Sequence, residues 1–277
     1  MSNSSVHFGP RLVARPTGTL RAAALVRPPA SIENAKPAIG EPAAIYSRAL
    51  EQHDVLCKTL AYFGVEVSVA ESAGDDPYEV AGADAAVVFE DGAVIMRPSA
   101  MSRRGEAARI EAEFARIDVP IAGHIAAPGL FDGGDVLLAG RTAFVGAGTR
   151  GNVVGRSGFA AIARAHGYTV VEVALGAGVT SLRSVAGAVA NDTIVLADGK
   201  VDPAAFAGFT TIVLERGEDL AAGVLCLGER HVLVDVRYRT SWQALRKAGV
   251  TVEAIDLYEF TKIGIAPGML AIALKRD

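Results

Sequence analysis

The sequence predicts a single-domain α/β protein built from five cyclically arranged units, each reading strand, strand, helix, strand. Three observations carry that expectation. A helix-to-strand joint broken at glycine or another small residue recurs about five times, at intervals of roughly forty to fifty-five residues, within the period range of repeat architectures. Paired β-rich runs lie upstream of the helices. Hydrophobic residues make up 51% of the 277, enough to bury a core without disulfides or metals.

Taken in order, Ser2 to Pro42 is Pro-rich and irregular; residues 1–20 are assigned as an irregular N-terminal segment and 21–277 as the repeating domain. The stripe Leu56, Leu60 and Phe63 after Tyr46 predicts a helix that stops at Gly64 and passes into Val65-Glu66-Val67. Glycine suits that joint because it enters the left-handed region without a Cβ penalty. Ala85 to Val88 and Ala93 to Met96 read as a hairpin across Asp91-Gly92. A helix follows from near Arg103, with Ser102 as N-cap, Glu106 in the first turn, and Ile110, Phe114 and Ile117 on one apolar face. Glu106, Arg109, Glu111 and Glu113 fall mostly outside that face. Arg116 to Ile121 is a weaker joint. Asp135 to Leu138 and Ala143 to Val145 pair across Gly140-Arg141, and Ala165-His166-Gly167-Tyr168 repeats the joint. Ala207-Gly208 gives another weak copy. Val224 to Leu227 and His231 to Val234 pair across Gly228-Glu229, and Lys247-Ala248-Gly249 closes the series.

Charge and composition exclude several functions. Lys and Arg number 27 against 31 Asp and Glu, a net charge of −4, with no run of more than two basic residues, so nucleic acid and anionic membranes are not expected partners. The longest apolar runs fall well short of a bilayer span, and no secretory signal is evident, which makes the cytoplasm the expected compartment. Two cysteines, Cys57 and Cys226, form neither a disulfide framework nor a zinc motif. Gly-x-Ser-x-Gly, P-loop, His-Glu-x-x-His and Cys-x-x-Cys patterns are missing, and no two of the five histidines lie within four residues of each other. Neither a metal nor a cofactor is expected.

Asp132-Gly133-Gly134-Asp135 is the most unusual local signal: paired glycines let the backbone approach closely, so Asp132 and Asp135 could be aimed into a cleft, although a tight turn capped by Asp135 is the blander account. With Arg97 to Glu106, Phe131 to Leu137, Phe144 to Gly146 running to Asn152, and Glu259 to Lys262, this segment resembles the dimethylarginine dimethylaminohydrolase branch of the guanidine-modifying (amidinotransferase, or pentein) superfamily. The resemblance covers about residues 40 to 275. It implies a five-bladed cyclic ββαβ propeller with a pocket on its axis, and a C–N hydrolase that attacks a guanidinium carbon with a thiolate while a histidine protonates the leaving amine.

The chain departs from that pattern where the chemistry lies. Met269 stands at the position of the family cysteine and Ser181 at that of the histidine; in the guanidinium clamp, Tyr78 and Ala83 replace acids, and Gly264 replaces a further Asp. A thioether has no ionisable proton. Asp84 and Asp132 persist, as do Arg103 and Arg150, the pair that in the family holds the substrate carboxylate and whose planar forks suit that task. The expected pocket is therefore Asp84, Arg103, Arg150, Tyr78 and Met269 around the ligand, with Asp132 and Ser181 as candidate catalytic groups and Asp132 the only base on offer for Ser181. Cys57, Cys226, His124 and His166 read as structural.

The expected function is binding, or transformation by non-thiol chemistry, of a small carboxylate-bearing, amino-acid-like ligand without guanidine hydrolysis. The alternative is an active hydrolase of guanidino or amidino C–N bonds using another nucleophile. Whether the protein is an enzyme stays open at this stage, as does a homodimer.

Overall fold

The computed structural model describes residues 7–74 and 76–277; residues 1–6 of the segment read as irregular lie outside them. The described chain runs β1 (Leu20–Val26), α1 (Tyr46–Tyr62), β2 (Glu66–Ala70), β3 (Ala86–Val88), β4 (Ala93–Ile95), α2 (Glu106–Arg116), β5 (Ile121–His124), β6 (Val136–Ala139), β7 (Thr142–Ala147), α3 (Val153–Ala165) and β8 (Thr169–Ala174). It continues through α4 (Leu182–Val185), β9 (Ala186–Ala190), β10 (Thr193–Ala197), β11 (Thr210–Leu214), β12 (Leu225–Gly228), β13 (His231–Asp235), α5 (Arg239–Lys247), β14 (Thr251–Ile255), α6 (Tyr258–Thr261) and β15 (Ala271–Arg276).

The strands form five three-stranded sheets, in the orders β15-β1-β2, β3-β4-β5, β6-β7-β8, β9-β10-β11 and β12-β13-β14. In each, the first strand is antiparallel to the second and the second parallel to the third. The parallel pair needs a crossover, which is why a helix or helical turn separates its two strands. The result is a five-bladed propeller whose first blade is closed by the last strand of the chain.

All five joints carry a residue in the left-handed region: Gly64, Asp118, Gly167, Gly208 and Gly249, at φ 76, 57, 79, 93 and 79°. Asp118 fills the role without being glycine, which made its joint the weaker match. The fourth blade differs most. Its crossover is a single 3-10 turn, Pro203–Phe206, started by Asp202, whose side chain accepts the Ala204 N–H at 2.9 Å.

Three local expectations are corrected. Ser102 does not cap α2; it lies in a 3-10 turn over Met101–Arg103 and donates to Asp76 at 2.5 Å, while Gly105 precedes the helix. Glu106 and Glu113 are buried, because one carboxylate meets Arg103 and the other Arg116 and Ser68. Gly228 stays in β12, and the tip of that hairpin turns through Arg230 at φ 54°.

Each inner strand is entered through one helical turn: Gly82–Asp84 before β3, Gly133–Asp135 before β6, α4 before β9, Asp219–Ala222 before β12 and Pro267–Met269 before β15. These five turns cluster at one end of the axis. No helix among the described residues is long and apolar enough to cross a membrane.

Candidate functional site

The turns that open the inner strands surround a cavity of about 690 Å³, and every blade contributes to it: Tyr78 and Asp84, Asp132 and Arg150, Ser184 and Lys200, Asp219 and Leu220, and Met269. Asp84, Arg103, Asp132, Arg150, Tyr78 and Met269, singled out from the sequence, all border this space. Ser181 lies behind the wall, fully buried, and its hydroxyl donates to the Met269 thioether at 3.3 Å.

The Gly133-Gly134 pair is there for space. Neither residue takes a positive φ, but a Cβ on Gly133 would strike the Ala83 carbonyl, and one on Gly134 would strike Asp84 Oδ1 and crowd Met269 Cε. That contact lets the Gly134 N–H donate to Asp84 Oδ1 at 3.0 Å. The other oxygen of Asp84, which is 0% exposed, faces Arg103 Nη1 at 2.6 Å and Arg150 Nη2 at 2.5 Å.

The charges form an alternating chain: Glu106, Arg103, Asp84, Arg150, Asp132. Arg103 grips Glu106 with its Nε and Nη2 at 2.5 and 2.8 Å. Arg150 donates from Nε to Asp132 Oδ2 at 2.7 Å, and its Nη2 sits 2.5 Å from both Asp84 and Asp132 without hydrogen-bond alignment to either. Ser99 donates its N–H to the second oxygen of Asp132 at 2.8 Å. Three carboxylates thus bracket two guanidinium groups, and the cluster carries an excess of negative charge when all are ionised. Arg103 is sealed by this network. Arg150, with 21% of its side chain exposed, still fronts the cavity.

Burial and pairing pull the acids apart. Burial pushes Asp84 upward, but the charges of Arg150 and Arg103 outweigh it and hold the carboxyl at about 2. Glu106 rises to about 7, since burial outweighs an Arg103 already shared with Asp84. Asp135 also rises to about 7 by burial, opposed by Arg150 and by the Leu182 N–H it accepts at 2.8 Å. Asp132 is raised by burial against the pull of Arg150. Such divergent environments are what proteins use to separate acid from base roles.

Two expectations about chemistry change. The pairing of Ser181 with Asp132 does not form: the serine is bonded to sulfur, and Asp132 is occupied by Ser99 and Arg150. The arginines do not stand free as a fork for a ligand; each is already neutralised by the protein's own carboxylates. The sequence reading also missed Glu106, placed on the outer face, although its i,i+3 spacing from Arg103 was visible. Asp135, for which a cleft-facing role and a turn cap were both open, is buried and accepts the Leu182 N–H, and the Lys200–Asp219 ion pair, 2.8 Å long, at the cavity had no signal in the sequence.

Both cysteines lie away from the cavity. Cys57 on α1 is pushed to about 11 by burial, and Cys226 in β12 is buried with its thiol also raised. His166 is satisfied by Asp91 and the Ile162 carbonyl, each at 2.8 Å, and His124 by Glu111. Among the described residues no group of three or more His, Cys, Asp or Glu is placed to hold a metal ion.

No family model matches the chain. An N(G),N(G)-dimethylarginine dimethylaminohydrolase of Streptomyces coelicolor is 32% identical over 228 residues, spanning 82% of this chain and 86% of that protein. Among solved structures, a dimethylarginine dimethylaminohydrolase from Pseudomonas aeruginosa, a cysteine-to-serine mutant complexed with citrulline, aligns with TM-score 0.84 at 24% identity, covering 92% of this chain and 99% of that one. The N-terminal domain of a cyanobacterial arginine dihydrolase bound to its product gives 0.79 at 19% identity, covering 92% and 97%. An amidinotransferase of the saxitoxin pathway from Microseira wollei gives 0.81 at 13%, covering 96% and 97%. These structural likenesses are likenesses of fold, the five-bladed pentein propeller.

Proposed function

The chain belongs to the dimethylarginine dimethylaminohydrolase family, and on that premise we propose that it binds a small α-amino-acid-like ligand in the axial pocket and does not hydrolyse guanidines through a thiol. One observation carries the reading: the sulfur-bearing side chain in the pocket wall is the thioether of Met269, fixed by Ser181 Oγ at 3.3 Å. A thioether has no proton to lose, so it cannot become the thiolate that attack on a guanidinium carbon requires. Neither Cys57 nor Cys226 reaches the pocket in its place.

Arg150 is the group we assign to the ligand carboxylate. It is the more exposed guanidinium in the chain of charges, and a carboxylate placed there would share it with Asp84 and Asp132. The surplus acid around it suits a ligand that brings its own ammonium group, so a zwitterion fits better than a plain organic anion. The citrulline complex of the Pseudomonas relative is consistent in ligand class.

The alternative reading, C–N hydrolysis with a different nucleophile, would rest on Asp132. It borders the cavity and its carboxyl is held above the usual range by burial, so it could take a proton from water.

The test combines binding with turnover. L-Citrulline, L-ornithine, L-arginine and dimethylarginine are titrated while the melting temperature is followed, and the same compounds are assayed for released amine and citrulline. Saturable stabilisation without product is expected. Arg150→Lys, which keeps the charge but loses the planar fork, should weaken binding at least tenfold, roughly one charged hydrogen bond. Citrulline formed at catalytic rates would overturn the non-hydrolytic reading, and an unchanged shift in Arg150→Lys would remove Arg150 from the site.

A further inference from the structure

A second cavity, of about 100 Å³, lies on the axis and is walled by all five inner strands: Ala86 to Val88, Val136 to Leu138, Ala186 to Ala188, Leu225 and Cys226, and Ala271 to Ala273. Two cations, Arg183 and Arg276, border this otherwise apolar space. Arg276 is 5% exposed and donates from Nη1 to the Gly18 carbonyl at 2.8 Å and from Nη2 to the Cys226 carbonyl at 2.7 Å. Arg183 donates from Nη2 to the Gly268 carbonyl. A guanidinium has five donors, so most of those on Arg183 remain unassigned to any protein acceptor.

Neither arginine has an ion-pair partner among the described residues, in contrast to Arg103 and Arg150. Burial lowers both, and Arg183 falls only to about 10, with the charge of Asp84 opposing and that of Arg276 adding to the fall. Arg183 is therefore charged at neutral pH, and a guanidinium such as that of Arg276 does not give up its proton in proteins. Cys226 supplies no counter-charge, because burial keeps its thiol protonated and its Sγ donates to the Gly228 carbonyl at 3.4 Å. Two like charges therefore border one small, partly open space whose other side chains are apolar, with no protein anion paired to either among the described residues, an arrangement that favours an anion taken from solution.

We propose that this axial cavity is a binding site for one small inorganic anion, in the size range from chloride to phosphate, held between Arg183 and Arg276. The volume admits several waters or one such ion, and none of its lining residues borders the ligand pocket, so the two sites are separate. Arg183 forms part of the link between the two: its acceptor, Gly268, precedes Met269. The occupied site would hold the Pro267–Met269 turn in place.

The full-length protein is transferred at constant ionic strength from the bulky sulfonate MES to chloride, bromide or phosphate, and melting temperature is recorded against anion concentration. A saturable rise is expected, about 5 °C at one hundred times Kd, lost in Arg276→Met and retained in Arg150→Lys. Retention in Arg150→Lys separates this site from the ligand pocket. Identical melting in every salt, or a response that survives in Arg276→Met, would overturn the proposal. Crystals of the unaltered protein in saturating bromide give an independent reading if Arg276→Met does not fold: an anomalous peak between the two guanidiniums is expected, and its absence rejects the site.

Discussion

Asp135 shows how a single side chain sets the behaviour of the site with pH. Its carboxyl is almost wholly buried, accepts the Leu182 N–H, and is held at about 7, whereas in the unfolded chain it would titrate near about 4. Between those values the folded protein binds the extra proton, so stability falls as pH rises from about 4 to about 7 and is level above. The cost is roughly 4 kcal/mol at 1.36 kcal/mol per pH unit. Glu106 acts in the same direction, and Asp84, held at about 2, in the opposite one, so that its contribution is lost as pH falls from about 4 through 2. Urea denaturation from pH 3 to 8, roughly the span of these titrations, should therefore show greatest stability near pH 4 to 5. Asp135→Asn keeps the acceptor for Leu182 and should remove about half of the fall toward neutrality; an unchanged pH profile would show that Asp135 does not hold its proton.

At the scale of elements, the joints between helix and strand are where sequence and structure agree best, because the requirement is local. Gly64 has φ 76°, and a Cβ there would meet nothing within 4 Å, so Gly64→Ala should cost only the left-handed strain, about 1 kcal/mol in denaturant titration. Asp118→Gly, relieving a non-glycine at φ 57°, should gain about 0.5 kcal/mol. Gly134 is a different case. Its hydrogen is needed for the approach of Asp84, so Gly134→Ala should cost at least twice as much as Gly64→Ala and disturb the pocket. The Gly-Gly-Asp motif was conspicuous in the sequence, but its reason, contact with Asp84 from another blade, depends on a residue some fifty positions away. The same holds for Glu106: the helical face was legible, yet Arg103 turned one of its polar members inward.

The whole molecule depends on closure. β15 pairs with β1, Asp277 N–H donates to the Thr19 carbonyl at 3.2 Å, and Arg276 ties the last strand to Gly18 and Cys226. Only the ring formed in this way encloses the axial cavity and brings Tyr78, Arg103, Arg150, Lys200 and Met269 to one space. Deleting residues 271–277 removes the inner strand of the first blade, with Ala271, Ile272 and Leu274 from the core. The prediction is loss of cooperative unfolding, read by near-UV circular dichroism on heating; a sharp transition in the truncated chain would show that four blades and a frayed fifth suffice.

By itself, the sequence determined the repeat and its left-handed joints, and its resemblance to a known family pointed to Met269 as the residue at the expected nucleophile position, because each is a property of neighbouring residues or of a single side chain. Tertiary structure alone decided how the charges are spent. Whether an arginine is free for a ligand depends on which carboxylates the other blades bring within 3 Å, and no local pattern reports that. Hence Arg103 and Arg150, read as an open fork, are held by Asp84, Glu106 and Asp132, while Arg183 and Arg276, which drew no notice in the sequence, border the second axial cavity with no ion-pair partner among the described residues.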